Sequence, residues 1–262
     1  LKGWREMILA LSVENTNLVM GCFDGENLLF TSRLAADRNK TGDEYAISFK
    51  SILDMHGIER EDITGSIVAS VVPALIREIM EALRLTLGKE PLLVGPGVKT
   101  GLNILSDNPA SLGSDLVVNA VAAIAEYPVP LIAIDLDTAT TLLAVNQKKC
   151  FVGSIIAPGV SISARALAES CDQLPQITIE PPRDLIGRNT VDCMKSGVVF
   201  GIASMLDGMV ERMEQELGGD CHVVVTGPMA EVIVPHCKRK MTVDSMLLLK
   251  GLRRIYEKNN RK

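Results

Sequence analysis

Two short segments hold residues whose types and spacing can do chemistry on phosphate. One is Asp135-Leu136-Asp137-Thr138-Ala139-Thr140-Thr141, where two carboxylates and a run of hydroxyls follow an apolar stretch. Carboxylate oxygens hold hard cations such as Mg²⁺, and hydroxyls can bond phosphate or ligate a cation. Asp135 is thus a candidate metal-facing acid, and Thr138 and Thr140 are candidate phosphate contacts. The other segment is Ser12-Val13-Glu14-Asn15-Thr16, a polar turn in which Glu14 is a candidate metal ligand. Side chains two apart on a strand share a face, so either Glu14 supplies a carboxylate on the side where Ser12 offers only a hydroxyl, or Glu14 and Asp137 merely fill turns without that use. A third acid, Asp115, falls in the first turn of a helix. The helix dipole favours an acid there without any catalytic role, yet a carboxylate within hydrogen-bond reach of an alcohol can also act as its base.

The elements that must position these residues repeat. Met7 to Leu34 reads as a strand, a polar turn, a second strand, the hairpin signal Asp24-Gly25 and a third strand. Pro128 to Pro158 follows the same plan, with Asn146-Gln147-Lys148-Lys149 as its hairpin turn. The same spacing of 123 residues separates Ser12 from Asp135 and Glu14 from Asp137. Helices are predicted over Gly42 to Met55, from Pro73 to Gly88, after Thr190 to Gly218-Gly219, and from about Ser245. Strands are predicted at Ser66 to Val71, Pro91 to Val94 and His222 to Val225. Two copies of one unit predict an α/β fold of two similar lobes, 7–127 and 128–262, with a central cleft, the favoured place for a ligand.

The 262 residues carry a formal net charge of −5, which argues against nucleic-acid binding built on Lys and Arg. The basic stretch His236-Cys237-Lys238-Arg239-Lys240 reads as a solvated turn. No apolar run reaches the roughly 18 to 20 residues of a membrane span, and Leu1 to Glu6 lacks the pattern of a leader. A soluble, cytoplasmic protein without a membrane partner is expected. The six cysteines are scattered, without a C-x-x-C pair, and read as buried thiols rather than disulfides or a zinc site. Gly95 to Thr100 lacks the spacing of a P-loop.

The motifs taken in order resemble the type III pantothenate kinase family, also called the Bvg accessory factor family, over nearly the whole chain from Met7. The family's D-x-G-N-T appears as Ser12 to Thr16, and its G-P-G-v-k-T-G-l as Gly95 to Leu102. D-N-P appears as Asp107-Asn108-Pro109, G-A-D-R as Gly113-Ser114-Asp115-Leu116, and D-x-G-T-A-T-T as Asp135 to Thr141. Later come Gly153 to Gly159, Leu174-Pro175, Asn189-Thr190, Ser196-Gly197 and Thr226-Gly227-Pro228. The resemblance implies the actin-like ATPase and sugar-kinase (ribonuclease H-like) fold. It further implies transfer of phosphate from ATP to pantothenate, the first step toward coenzyme A, with Mg²⁺ and a monovalent cation (K⁺ or NH₄⁺). By position it makes Asp115 the general base, Asn15 and Thr16 phosphate contacts, Gly113 and Thr190 substrate contacts and Gly227 a nucleotide contact. A homodimer is implied as well.

The chain departs from that pattern where ligands are expected. Ser12 replaces the first acid, while Glu14 and Asp137 replace glycines that face phosphate. A like charge at 4 Å costs about 1 kcal/mol in water and ~4 at an effective dielectric of 20. Leu116 replaces an arginine fork, Ser106 a pocket tyrosine, and Pro228 a glycine. Three readings follow. The chain is a kinase for pantothenate or another small alcohol; or a subunit without catalysis of its own that pairs with an intact paralogue; or a sensor of a small molecule.

Overall fold

The computed structural model describes residues 7–260, so Leu1 to Glu6, where no leader was expected, lies outside the described residues. The strands are β1 (Met7–Val13), β2 (Asn17–Asp24), β3 (Asn27–Ala35), β4 (Ile63–Ser70), β5 (Leu92–Leu93), β6 (Asn103–Ile104), β7 (Leu131–Leu136), β8 (Ala139–Val145), β9 (Cys150–Pro158), β10 (His222–Thr226) and β11 (Thr242–Val243). The helices are α1 (Gly42–Met55), α2 (Pro73–Leu87), α3 (Ser114–Glu126), α4 (Val160–Ser170), α5 (Thr190–Leu217), α6 (Ala230–Ile233) and α7 (Leu247–Asn260).

The chain divides into two compact units. One holds the chain up to Gly101, then Ala110–Ala122 and everything from Leu248 on; the other holds Leu102–Pro109 and Ala123–Leu247. The first unit's sheet has the order β3-β2-β1-β4-β5, the second's β11-β10-β7-β8-β9-β6. Each therefore contains an antiparallel triplet whose first strand also pairs in parallel with a later strand: β1 with β4, and β7 with β10. Apart from β6, the two sheets have the same order. This is the repeat expected from the 123-residue spacing.

Local chemistry explains most of the elements. Thr41 and Glu44 form a capping box at the start of α1: Thr41 N–H donates to Glu44 Oε2 at 2.8 Å, and Glu44 N–H to Thr41 Oγ1 at 3.4 Å. Gly42 N–H donates to Glu78 Oε2 at 2.8 Å, which ties α1 to α2. Pro73 opens α2, and Gly88 ends it in a left-handed conformation at φ +65°. The first core is largely aliphatic, with Leu9, Leu11 and Val13 against Leu75, Ile79 and Leu83 around Tyr45 and Phe49. The second gathers Ile132, Ile134 and Leu142 with Val199, Leu206 and Val210 of α5.

Two expectations about the later chain change. The sequence ran the second lobe to residue 262, whereas the segment from Leu248 belongs to the first unit. Its helix buries Leu249, Leu252 and Ile255, and Arg253, only 4% exposed, bonds Glu257 at 2.8 Å and lies over the Phe23 ring. Asn259 clasps Lys99 through two bonds of 3.0 Å, one to its N–H and one to its C=O. Second, α5 has 28 residues and is apolar enough by composition to cross a membrane, although no such run was expected. Its buried residues pack into the second core, which marks it as a core helix.

The basic stretch is more than a solvated turn. The N–H groups of Lys238 and Arg239 donate to Asp207 at 2.8 and 3.0 Å, and the Arg239 guanidinium meets Glu214. Among the cysteines, Cys22, Cys150 and Cys221 are buried and Cys237 partly so, but Cys171 and Cys193 are exposed, contrary to expectation.

Candidate phosphate-binding turns and general base

The first unit forms its turn at the ends of β1 and β2. Glu14 N–H donates to the Asn17 carbonyl at 2.8 Å and closes it, leaving Asn15 and Thr16 exposed at the tip. Ser12 is buried, 2% exposed, and its hydroxyl donates to Glu14 Oε1 at 3.4 Å. The Glu14 carboxylate therefore reaches back to the side on which residue 12 stands. Alternation along the strand permits this, and glutamate has the length to do it.

Asp115 lies in the same unit, in the first turn of α3. Its carboxylate folds back over Gly113, where a Cβ would lie 2.3 Å from Asp115 Oδ1. Gly113 thus leaves room for the carboxylate in this position, and a side chain there would make Asp115 move. Ser114, which begins α3, donates from its hydroxyl to the Ser70 carbonyl at 3.0 Å. Ser70 closes β4 and is the register partner of Val13 in β1. Asp115 and the Glu14 turn thus stand at one end of one sheet. Leu116, beside Asp115, is buried at 6% exposure.

In the second unit Asp135 pairs with Thr141 across β8 and with Thr226 across β10. Gly227 follows Thr226 at φ +92°, and a Cβ on it would lie 2.6 Å from Asp135 Oδ1 and 2.7 Å from Leu136 N and C. The residue expected to face nucleotide is therefore also the one that leaves room for Asp135. Gly159 leaves room for the backbone of the turn, since a Cβ there would meet the Thr138 carbonyl oxygen at 2.2 Å and that of Asp137 at 2.4 Å. The sequence reading passed over Gly159; its signal was the Pro158-Gly159 end of the Gly153 to Gly159 motif. Thr138 donates from its hydroxyl to Asp137 Oδ2 at 3.2 Å. Thr140 is fully buried, its hydroxyl without a hydrogen-bond partner, so it does not join the more open side of the turn.

Thr190 is exposed at the first position of α5. Asn189 caps that helix, accepting from Asp192 N–H at 2.9 Å. The segment before it is pinned to α5 by Lys195, which meets Glu180 Oε1 at 2.6 Å, and by Ser196, whose hydroxyl bonds the Leu185 carbonyl. Leu185, Ile186 and Val191, close to Thr190 in the sequence, are exposed. Ser106, in the second unit, has a buried hydroxyl without a hydrogen-bond partner.

The donors in the two turns are carboxylates and hydroxyls, the set that suits Mg²⁺ and other hard cations. In each turn the added acid, Glu14 in the first unit and Asp137 in the second, brings negative charge that a nearby anion would meet as repulsion unless a cation intervened. Among the described residues there is no cluster of three His, Cys, Asp or Glu side chains that could hold a metal unaided.

Comparison with known proteins shows the family and the fold. The family model of type III pantothenate kinase matches residues 8–212. A type III pantothenate kinase of Halalkalibacterium halodurans is 43% identical over 253 residues, which cover 97% of this chain and all of the relative. One of Moorella thermoacetica is 42% identical over 253 residues with the same coverage. Among solved structures, a Campylobacter jejuni protein described as a Baf family transcriptional activator superposes with a TM-score of 0.60 at 15% identity. The superposition covers 96% of this chain and 98% of that one. The ADPNP-bound activator of 2-hydroxyisocaproyl-CoA dehydratase from Clostridium difficile reaches 0.54 at 12% identity, covering 96% and 93%. At such identities the likeness is one of fold, that of the actin-like ATPases and sugar kinases.

Proposed function

The chain belongs to the type III pantothenate kinase family, and from that premise we propose that it transfers the γ-phosphoryl group of ATP to the hydroxyl of pantothenate. Asp115 takes the proton of that hydroxyl as its oxygen bonds the γ-phosphorus and the bond to the bridging oxygen of ADP breaks. Asn15, Thr16 and Thr138 meet phosphate oxygens. Glu14 and Asp135 are the residues to hold Mg²⁺ and a monovalent cation, which when bound neutralise the phosphate charge.

The observation that carries this reading is the Ser12 to Glu14 hydrogen bond of 3.4 Å. It supports a relocated carboxylate rather than a lost one. The chain acts in this reading as a cytoplasmic homodimer, which the exposed Leu185, Ile186 and Val191, close to Thr190 in the sequence, favour.

A second reading is favoured by Asp137 and Leu116: an added acid in the phosphate turn, and a buried aliphatic side chain where the family pattern has arginine. In that reading the chain is a non-catalytic subunit paired with an intact paralogue. Calorimetric titration with ATP and Mg²⁺, with and without K⁺, separates the two. Micromolar binding that requires Mg²⁺, followed by turnover with pantothenate, is the expected result. A folded dimer that binds no ATP overturns the kinase reading in favour of the second.

A further inference from the structure

Three contacts within the first unit fix the helical turn that carries Asp115. Ser114 Oγ donates to the Ser70 carbonyl at 3.0 Å, a normal length for such a bond. Ser70 in turn lies beside Val13, whose carbonyl accepts from Val71 N–H at 3.0 Å. The tether therefore runs from the start of α3 to the strand end where the Glu14 turn begins. The family pattern quoted above has alanine at this position and so no hydroxyl to make the bond.

The second contact comes from α7. A Cβ on Gly251 would lie 2.2 Å from the Val118 carbonyl oxygen and 2.7 Å from Val118 Cγ1. The two helices thus meet through bare backbone three residues beyond Asp115. Any side chain at 251 must push α3 away. The third contact is Gly113, which leaves space for the carboxylate itself.

We propose that Ser114 and Gly251 are positioning residues that hold the Asp115 carboxylate against the end of the first sheet. The proposal rests on the reading that Asp115 takes the acceptor's proton. Neither residue touches the reacting atoms. Both act through the first turn of α3, whose opening bond runs from Val117 N–H to the Gly113 carbonyl at 3.3 Å. Misplacing a catalytic group by about 1 Å can cost up to ~10²-fold in rate, so loss of one tether has a measurable effect.

The test compares Ser114→Ala, Ser114→Thr and Gly251→Ala with the unmodified dimer. It measures kcat and KM for pantothenate together with hydrogen exchange at the Val117 amide. Ser114→Ala is expected to lower kcat roughly tenfold with KM held within about twofold. It should also speed Val117 exchange while the amides of 123–126 keep their rates. Ser114→Thr, which retains the hydroxyl, should restore both, and Gly251→Ala should repeat the alanine result. Unchanged kcat and exchange in Ser114→Ala overturn the proposal. So does a loss of activity that only follows thermal stability, without faster Val117 exchange. If the unmodified protein turns over no alcohol, the functional reading fails, and exchange alone decides: faster at Val117 upholds the tether, unchanged overturns it.

Discussion

Replacing Gly227 by alanine separates two roles for that residue, one toward nucleotide and one toward Asp135. Gly227 sits at φ +92°, where an L side chain costs about 1 kcal/mol. Its new Cβ would lie 2.6 Å from Asp135 Oδ1 and 2.7 Å from Leu136 N and C. Little can yield, because Thr226 is paired with Asp135 and Met229 N–H donates to the Leu136 carbonyl at 3.2 Å. Crowding of this kind costs about 1–3 kcal/mol, so the total is about 2–4 kcal/mol. A chain of this size loses about 3 °C of melting temperature per kcal/mol, which predicts a fall of about 6–12 °C. Gly25→Ala is the control: its φ is +58°, with nothing within 4 Å of a Cβ. It should lose only about 3 °C. Thermal unfolding reads the stabilities, and calorimetry reads Mg–ATP affinity, expected to fall roughly tenfold in Gly227→Ala and to hold in Gly25→Ala. Equal melting temperatures in the two variants would refute the packing argument. A lowered melting temperature with unaltered Mg–ATP affinity would refute the role of Asp135.

Further predictions concern the other turn, pH and the thiols. Glu14→Gly alone should weaken Mg–ATP binding about tenfold, a difference of ~1.4 kcal/mol. Adding Ser12→Asp should restore it, and calorimetry that finds the double variant as weak as the single one speaks against relocation of the acid. His222 is partly buried, its Nε2 without a hydrogen-bond partner and its ring stacked on Tyr127 at 4.9 Å, and burial holds its pKa below 6.5. Below pH 6.5 the unfolded chain takes up this proton first, so the contribution is complete above 6.5 and lost as pH falls toward the folded value. His222→Phe should flatten the dependence of melting temperature on pH in that window; a slope unchanged from the parent would exclude His222 as its source. Burial pushes the thiols of Cys22 and Cys237 up to about 12 and that of Cys221 up to about 11. At pH 8 iodoacetamide should therefore label Cys171 and Cys193 first, as peptide mass spectrometry would report.

The fold was legible where local chemistry determines it. Gly25 and the Asn146–Lys149 turn announce hairpins, and Pro73 with Gly88 brackets α2. What stayed hidden depends on distant partners. β6 and β11 are two residues long and exist because β9 and β10 offer free edges. The leucines of α7 announce a buried face but not the unit that buries it. For α5, composition alone cannot tell a helix sunk in a protein core from one suited to lipid, because both need a long apolar surface.

At the site, the sequence identified residue types and missed how they reach one another. Gly113, Gly159 and Gly227 look alike as motif glycines, yet each leaves space beside a different group: Asp115 in the first unit, the Asp137–Thr138 carbonyls and Asp135 in the second. Ser114 reads as an ordinary serine at a helix start, and its partner Ser70 is 44 residues away. The same limit applies to Ser12 and Glu14. Compared position by position with the family pattern, the first turn has lost an acid and gained an unwelcome one. The hydrogen bond between the two joins those changes, because a glutamate two residues on, longer by one methylene, reaches the side an aspartate at 12 would occupy. A chain under no demand for that charge would have little reason to bring it back to Ser12. The proposed kinase reading accordingly treats the two changes as one, and the Ser12→Asp, Glu14→Gly variant decides between relocation of the acid and decay of the turn.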